Sequence, residues 1–125
     1  MLADKPISPI LLATDMDASR RFYTEKIGLK LVRENSEVMV FQCGGETQLR
    51  ISRSDTGTKD EQTQATFVVK DLEAEVADLR KRGVKIEDYD LPNLKTEDGI
   101  ADMGFAWAAW FIDPGKNAVG IVQPK

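Results

Sequence analysis

The feature that most narrows what this chain can fold into is an internal repeat. Ser8-Pro-Ile-Leu-Leu-Ala-Thr-Asp15-Met and Gln64-Ala-Thr-Phe-Val-Val-Lys-Asp71-Leu align at an offset of 56 residues. Each contains a short apolar run suited to a buried strand and closes on an aspartate, a good helix N-cap. An amphipathic stretch follows in both copies. After Asp15 the apolar stripe is Met16, Phe22, Tyr23 and Ile27, with Asp17 at the positive end, Lys26 at the negative end and Gly28 as the stop. After Asp71 it is Leu72, Val76 and Leu79, with Glu73 and Glu75 early, Arg80, Lys81 and Arg82 late, and Gly83 as the stop. Three short strands are predicted behind the first helix, over 29–33, 37–43 and 47–52, parted by the turn signals Asn35-Ser36 and Gly44-Gly45. The pattern predicts an α+β fold of two tandem βαβββ modules.

The modules span about 6–52 and 64–123 of a single 125-residue domain. A chain of this length buries roughly two-thirds of its extended surface and needs no staples. Between the modules, 53–63 is polar throughout and reads as a surface linker. In the second module the chain continues through 84–87 into a long polar segment, 88–104. That segment exceeds a usual connection, so it is a lid over a site or an irregular excursion, and the lid is the preferred expectation. The last element is a β-hairpin over 105–123, turning at Asp113-Pro114-Gly115-Lys116-Asn117. Trp107 and Trp110 lie in its first arm at odd spacing, hence on opposite faces, one toward core and one toward a pocket.

Composition removes several classes of function. There is no histidine among the 125 residues, which takes away the commonest metal ligand and general base together. Cys43 is alone, excluding an internal disulfide, and its neighbours Val40, Phe41 and Gln42 mark it as a strand residue without a nearby cation to activate it. A formal net charge of −4 speaks against nucleic acid and weakly for a cationic small molecule. No apolar run approaches the ~20 residues of a membrane span, and Met-Leu-Ala-Asp-Lys-Pro has no signal-peptide core, so a cytoplasmic location is expected.

Three sets of residues resemble the vicinal oxygen chelate superfamily, which holds glyoxalase I, extradiol dioxygenases and bleomycin-resistance proteins. They are Asp15-Met16 through Phe22-Tyr23 to Ile27-Gly28-Leu29; Phe67 to Asp71-Leu72 and Arg82-Gly83-Val84; and Phe111-Ile-Asp113-Pro114 with Asn117. The resemblance covers nearly the whole chain. It implies sheets curled into a half-open cup, usually completed by a homodimer, and a metal site with four ligand positions. Those positions correspond here to Ser8, to Gln48 or Arg50, to Gln64 and to Gly120. A hydroxyl, neutral amides and a glycine do not make a divalent-metal site, so neither a metal nor a cofactor is expected.

If the cup is present, strand alternation predicts that Ser8, Ile10 and Leu12 face inward with Gln64, Thr66 and Val68. Gly120 is expected to open space where a carboxylate would have stood. Trp107 or Trp110 could stack on an aromatic or cationic ligand, and Arg50 could clamp an anion. Met39 and Phe41 complete the candidate ligand-binding set, although residues on such a strand face are more often core than ligand contacts. The resulting expectation is a metal-independent small-molecule binding or sequestration protein, without catalytic residues, forming a homodimer. The alternatives are a glyoxalase-like or dioxygenase-like enzyme with non-standard ligands, and a non-catalytic interaction scaffold.

Overall fold

The computed structural model describes residues 1–59 and 61–125. Both predicted helices start where an aspartate caps them. Asp15 Oδ1 accepts from Ala18 N at 3.0 Å and Asp71 Oδ1 from Ala74 N at 3.1 Å, each satisfying one of the amides a helix start leaves open. Helix α1 (Met16–Arg21) widens into a π-helical segment, Phe22–Lys26, while α2 (Leu72–Lys81) is regular. Gly28 and Gly83 end the two helical stretches with the same φ of 83°, a left-handed conformation that costs glycine nothing.

The first sheet contains β1 (Ile10–Ala13), β2 (Lys30–Glu34), β3 (Val38–Gln42) and β4 (Gln48–Arg53) in the order β1-β4-β3-β2, with β1 parallel to β4. The second contains β5 (Thr63–Val68), β6 (Asp90–Leu91), β7 (Leu94–Glu97), β8 (Ile100–Asp102), β9 (Ala106–Ile112) and β10 (Ala118–Pro124). Its order is β5-β10-β9-β8-β7-β6, with β5 parallel to β10. The first four strands of that order reproduce the order of the first sheet, so the sequence repeat is a repeat of topology.

Two segments of the second module differ from their counterparts in the first. Residues 84–87 form no ladder: they carry Val84 and Ile86 into the core and bond once to the sheet, from Glu87 N to Trp110 O at 2.9 Å. The strand equivalent to β2 is β8 instead. Residues 88–104, expected as a lid or an irregular excursion, contain β6, β7 and β8, which extend the sheet and bring Tyr89, Leu91 and Leu94 to a cleft on its open face; Asp98 and Gly99 turn β7 into β8 with φ of 52° and 84°.

The helix-side faces of both sheets share one core. Leu11, Met39, Phe41 and Ile51 from the first module join Leu72, Val76, Phe111 and Ile121 from the second. Phe22 bridges the two through Tyr23 at 5.2 Å and Phe111 at 5.7 Å between ring centroids. Beside the rings lies a buried polar cluster built by the β9–β10 turn. Tyr23 Oη donates to Asp113 Oδ2 at 2.6 Å, and Asn117 Nδ2 donates to Leu12 O at 2.8 Å and to Asp113 Oδ2 at 2.8 Å. Leu12 N donates back to Asn117 Oδ1 at 3.4 Å, and the Thr58 hydroxyl bonds the same oxygen. The turn sits so close to β1 that a Cβ on Gly115 would lie 2.0 Å from Leu12 O.

Gly115→Ala should therefore lower stability by roughly 2–3 kcal/mol or more through overpacking against backbone, read as a drop in the urea midpoint. Gly44→Ala, where nothing lies within 4 Å of the added Cβ, is the control; its shift should stay within about 0.5 kcal/mol. Burial raises the Asp113 carboxyl above the ordinary aspartate value, with Tyr23 and Asn117 pulling it part of the way back. Because the folded-state value is the higher one, its stabilising contribution is full below the unfolded value and is lost as pH rises through the folded value. In a carboxyl NMR titration Asp113 should ionise at higher pH than Asp102, which Lys125 holds low; the reverse order would contradict the burial.

Candidate functional site

The open face of the second sheet, opposite α2, carries a cleft of about 890 Å³. Trp110 supplies its aromatic wall. The indole projects from β9 on the face shared with Gly120, its cross-strand partner on β10. Its Nε1–H donates to Thr63 Oγ1 at 3.1 Å, and Tyr89 meets the ring edge-to-face at 5.6 Å. Leu91, Leu94 and Ile112 add apolar surface, while Thr58, Lys59, Glu61, Gln62 and Thr63 stand on one side; Asp60 falls outside the described residues.

Gly120 does not open a void, which corrects the expectation for it. A Cβ there would lie 3.1 Å from Thr66 Oγ1 and 3.4 Å from both Thr63 Cγ2 and Trp110 Nε1. The space is filled, and the glycine lets the indole and two threonines close over the strand. The place of Gln64 changes too. The β5–β10 register slips between Ala118 and Val119, making Gln64 the extra residue of a bulge and putting Thr63 opposite Ala118. Gln64 is exposed and donates to Gln62 O at 2.9 Å, and Thr63 takes the inward place. Thr66 follows the expected parity opposite Gly120, and Val68 is on the same face but 72% exposed.

In the first sheet, Ile10 pairs with Arg50 and Val40 with Arg50, while Gln42 pairs with Gln48. Ile10, Leu12, Gln48 and Arg50 thus occupy one open face, with half-buried Ser8 just before β1. None of these five lines the Trp110 cleft. Met39 and Phe41 belong to neither open face, a second correction. They pair with Ile51 and Leu49, and all four are buried on the helix side, Phe41 at 5.7 Å from the Tyr23 ring. Parity decides this: Val40 pairs with Arg50 and shares its face, where it is covered to 1% exposure, so Met39 and Phe41 must turn to the helix side. Trp107 lies on the helix-side face of the second sheet, opposite to Trp110, as the odd spacing required.

Tyr89, Thr63, Leu91 and Leu94 are lining residues that sequence reasoning missed. Tyr89 was identifiable as one of only two tyrosines, in a polar segment where an aromatic has no local core to enter. Burial raises its phenol above the ordinary value, and the charges of Glu87 and Glu61 push it the same way. Glu87 is largely covered and lies 3.9 Å from Lys85 Nζ. The cleft thus combines a right-angled aromatic corner with two carboxylates, rimmed by Lys59 and Lys116.

That arrangement can hold a flat molecule by ring contact and a protonated amine by charge. It is a poor place for a divalent metal. Ser8, Gln48 and Arg50 are on one sheet, Gln64 and Gly120 on the other, and their donors are a hydroxyl, two amides and a guanidinium. Among the described residues, no three Asp, Glu, Cys or His side chains converge as metal ligands. Gly120→Glu should displace the indole, lowering stability by roughly 1–3 kcal/mol and collapsing the tryptophan bands of the near-ultraviolet circular dichroism.

A sequence model of the Glyoxalase/Bleomycin resistance protein/Dioxygenase superfamily matches residues 7–119. Solved structures of similar fold include the bleomycin-binding protein of Streptomyces verticillus, complexed with copper(II)-bleomycin: TM-score 0.75, 18% identity, 100% of each chain covered. The glyoxalase family protein of Enterococcus faecalis matches with TM-score 0.72 and 21% identity over 98% of this chain and 99% of that one. Lactoylglutathione lyase of Agrobacterium tumefaciens matches with TM-score 0.65 and 21% identity over 96% and 93%. At these identities the likeness concerns the fold. No curated protein sequence matches the chain. With its tandem modules and its match over residues 7–119, the chain belongs to the Glyoxalase/Bleomycin resistance protein/Dioxygenase superfamily.

Proposed function

We propose that this protein binds and sequesters a small organic molecule, aromatic and carrying a protonated amine, in the Trp110 cleft without using a metal. One observation carries the reading: the Trp110 indole, held by Thr63 Oγ1 and set at 89° to the Tyr89 ring, stands over Gly120. A pre-oriented aromatic corner is costly to leave in contact with water and loses little entropy when a flat ligand covers it. Glu61 and Glu87 offer an ammonium two carboxylates, with Lys59 and Lys116 balancing them at the rim. The bleomycin-binding neighbour supports the same class of activity on this fold. Cytoplasmic location and assembly as a homodimer belong to this proposal; Ile10 and Val68, on the edge strands β1 and β5, are 58% and 72% exposed and suit a second copy.

Titration with aromatic amines and matched aromatic acids, followed by tryptophan emission and calorimetry, tests it. The amines should saturate, and Trp110→Ala should weaken them at least about tenfold, equivalent to roughly 1.4 kcal/mol. Trp107→Ala should leave the affinity within about twofold, because that ring is on the other face. A broad amine series without saturation, or equal effects of the two substitutions, sinks the proposal.

A further inference from the structure

The second sheet is too wide for its helix. Six strands at about 4.8 Å spacing span roughly 24 Å, whereas one helix covers about 10 Å. Helix α2 packs mainly on β9 and β10 and reaches the β7–β8 turn through Arg80 at Asp98. A trough of about 760 Å³ results between α2 and the β7–β8 end of the sheet. Its apolar surface comes from Val76, Ile100 and Trp107, the last still 38% exposed. Its walls are acidic. Asp98 is engaged by Arg80 at 3.3 Å, while Asp71, Glu73 and Glu97 remain exposed around the opening.

The chain already seats a cation on this ring. Lys125 Nζ lies 4.2 Å from the Trp107 ring centroid and 2.6 Å from Asp102 Oδ1, and Asp102 is the cross-strand partner of Trp107. An aromatic face with a carboxylate beside it is therefore a receptor for an alkylammonium here, and the trough repeats the combination with three further carboxylates.

We propose that this trough docks a basic, amphipathic segment of a partner protein. Lysines or arginines of the segment meet Asp71, Glu73 and Glu97, and its apolar side chains lie on Trp107 and Ile100. The acidic rim repels nucleic acid and anionic membrane. The trough runs beside a helix of ten residues, about 15 Å long, which suits a chain segment better than a small enclosed ligand. The site is on the opposite face from the Trp110 cleft and does not depend on what that cleft binds.

The test uses the full chain and two synthetic fourteen-residue peptides, one with leucines and lysines at helical spacing and one with glutamates replacing the lysines, followed by fluorescence anisotropy. The lysine peptide should saturate and weaken with added salt, and the glutamate peptide should not bind. The double variant Glu73→Lys/Glu97→Lys, which changes two exposed side chains, should stay folded, with a melting temperature lower by about 5 °C or less because a lysine enters the first turn of α2, and should lose at least about tenfold in affinity; Trp110→Ala should leave the peptide affinity unchanged. Absence of saturation, or an affinity untouched by the double charge reversal, overturns the proposal. So does displacement of the peptide by an equal concentration of arginine amide, which would assign the trough to a small cation.

Discussion

The rest of the structure depends on one carboxylate held away from water. Asp113 is 4% exposed, and a buried charge is tolerated only when its lone pairs are filled. Here they are filled by Tyr23 from the first helix and by Asn117, through both its backbone and side-chain nitrogens. Asn117 in turn completes the backbone of Leu12 in β1 and takes the Thr58 hydroxyl from the linker. One cluster thus ties together four pieces of chain far apart in sequence. Breaking it by removing a single partner would strand the others, so the penalty exceeds that of any one bond.

The cleft inherits its shape from that cluster. Trp110 stands three residues before Asp113, and Gly120 three residues after Asn117, on the two arms whose turn the cluster pins. The linker wall is held from both ends, by Thr58 at Asn117 and by Thr63 at the Trp110 nitrogen. A buried structural network and an exposed aromatic corner are therefore consecutive parts of one hairpin. Gly120 gains a different meaning in this setting. It is the counterpart of a tryptophan across the strand pair, an aromatic closing over a residue with no side chain.

Much of this was legible from residues. The repeat, both aspartate caps, both glycine stops and the Asp113–Asn117 turn are local signals, and each is written in a few adjacent residues. The opposite facing of Trp107 and Trp110 follows from strand parity alone. What escaped depends on pairing between distant segments. Whether Met39 or Val40 faces the core is set by the register of β3 against Arg50 in β4, and the bulge at Gln64 is visible only when β10 is laid beside β5. β8 is three residues long, Ile100-Ala-Asp102, too short for any periodicity; it is a strand because β9 and β7 flank it. The fold was therefore readable from local chemistry, and the lining of the site was not, because a one-residue slip exchanges every lining residue for its neighbour.

The two tryptophans show how one strand can serve two surfaces. β9 is paired along its length with β10 and presents Trp110 to the open face and Trp107 to the helix side. Between them lie Ala108 and Ala109, both buried, so neither ring has a flexible neighbour through which to displace the other. Coupling between the faces would need an element with two arrangements, and a continuous antiparallel pair has one. Occupancy of the Trp110 cleft and of the acidic trough should be thermodynamically independent for that reason. A single sheet thereby presents both proposed surfaces under one strict requirement, that the register of β9 on β10 never slip.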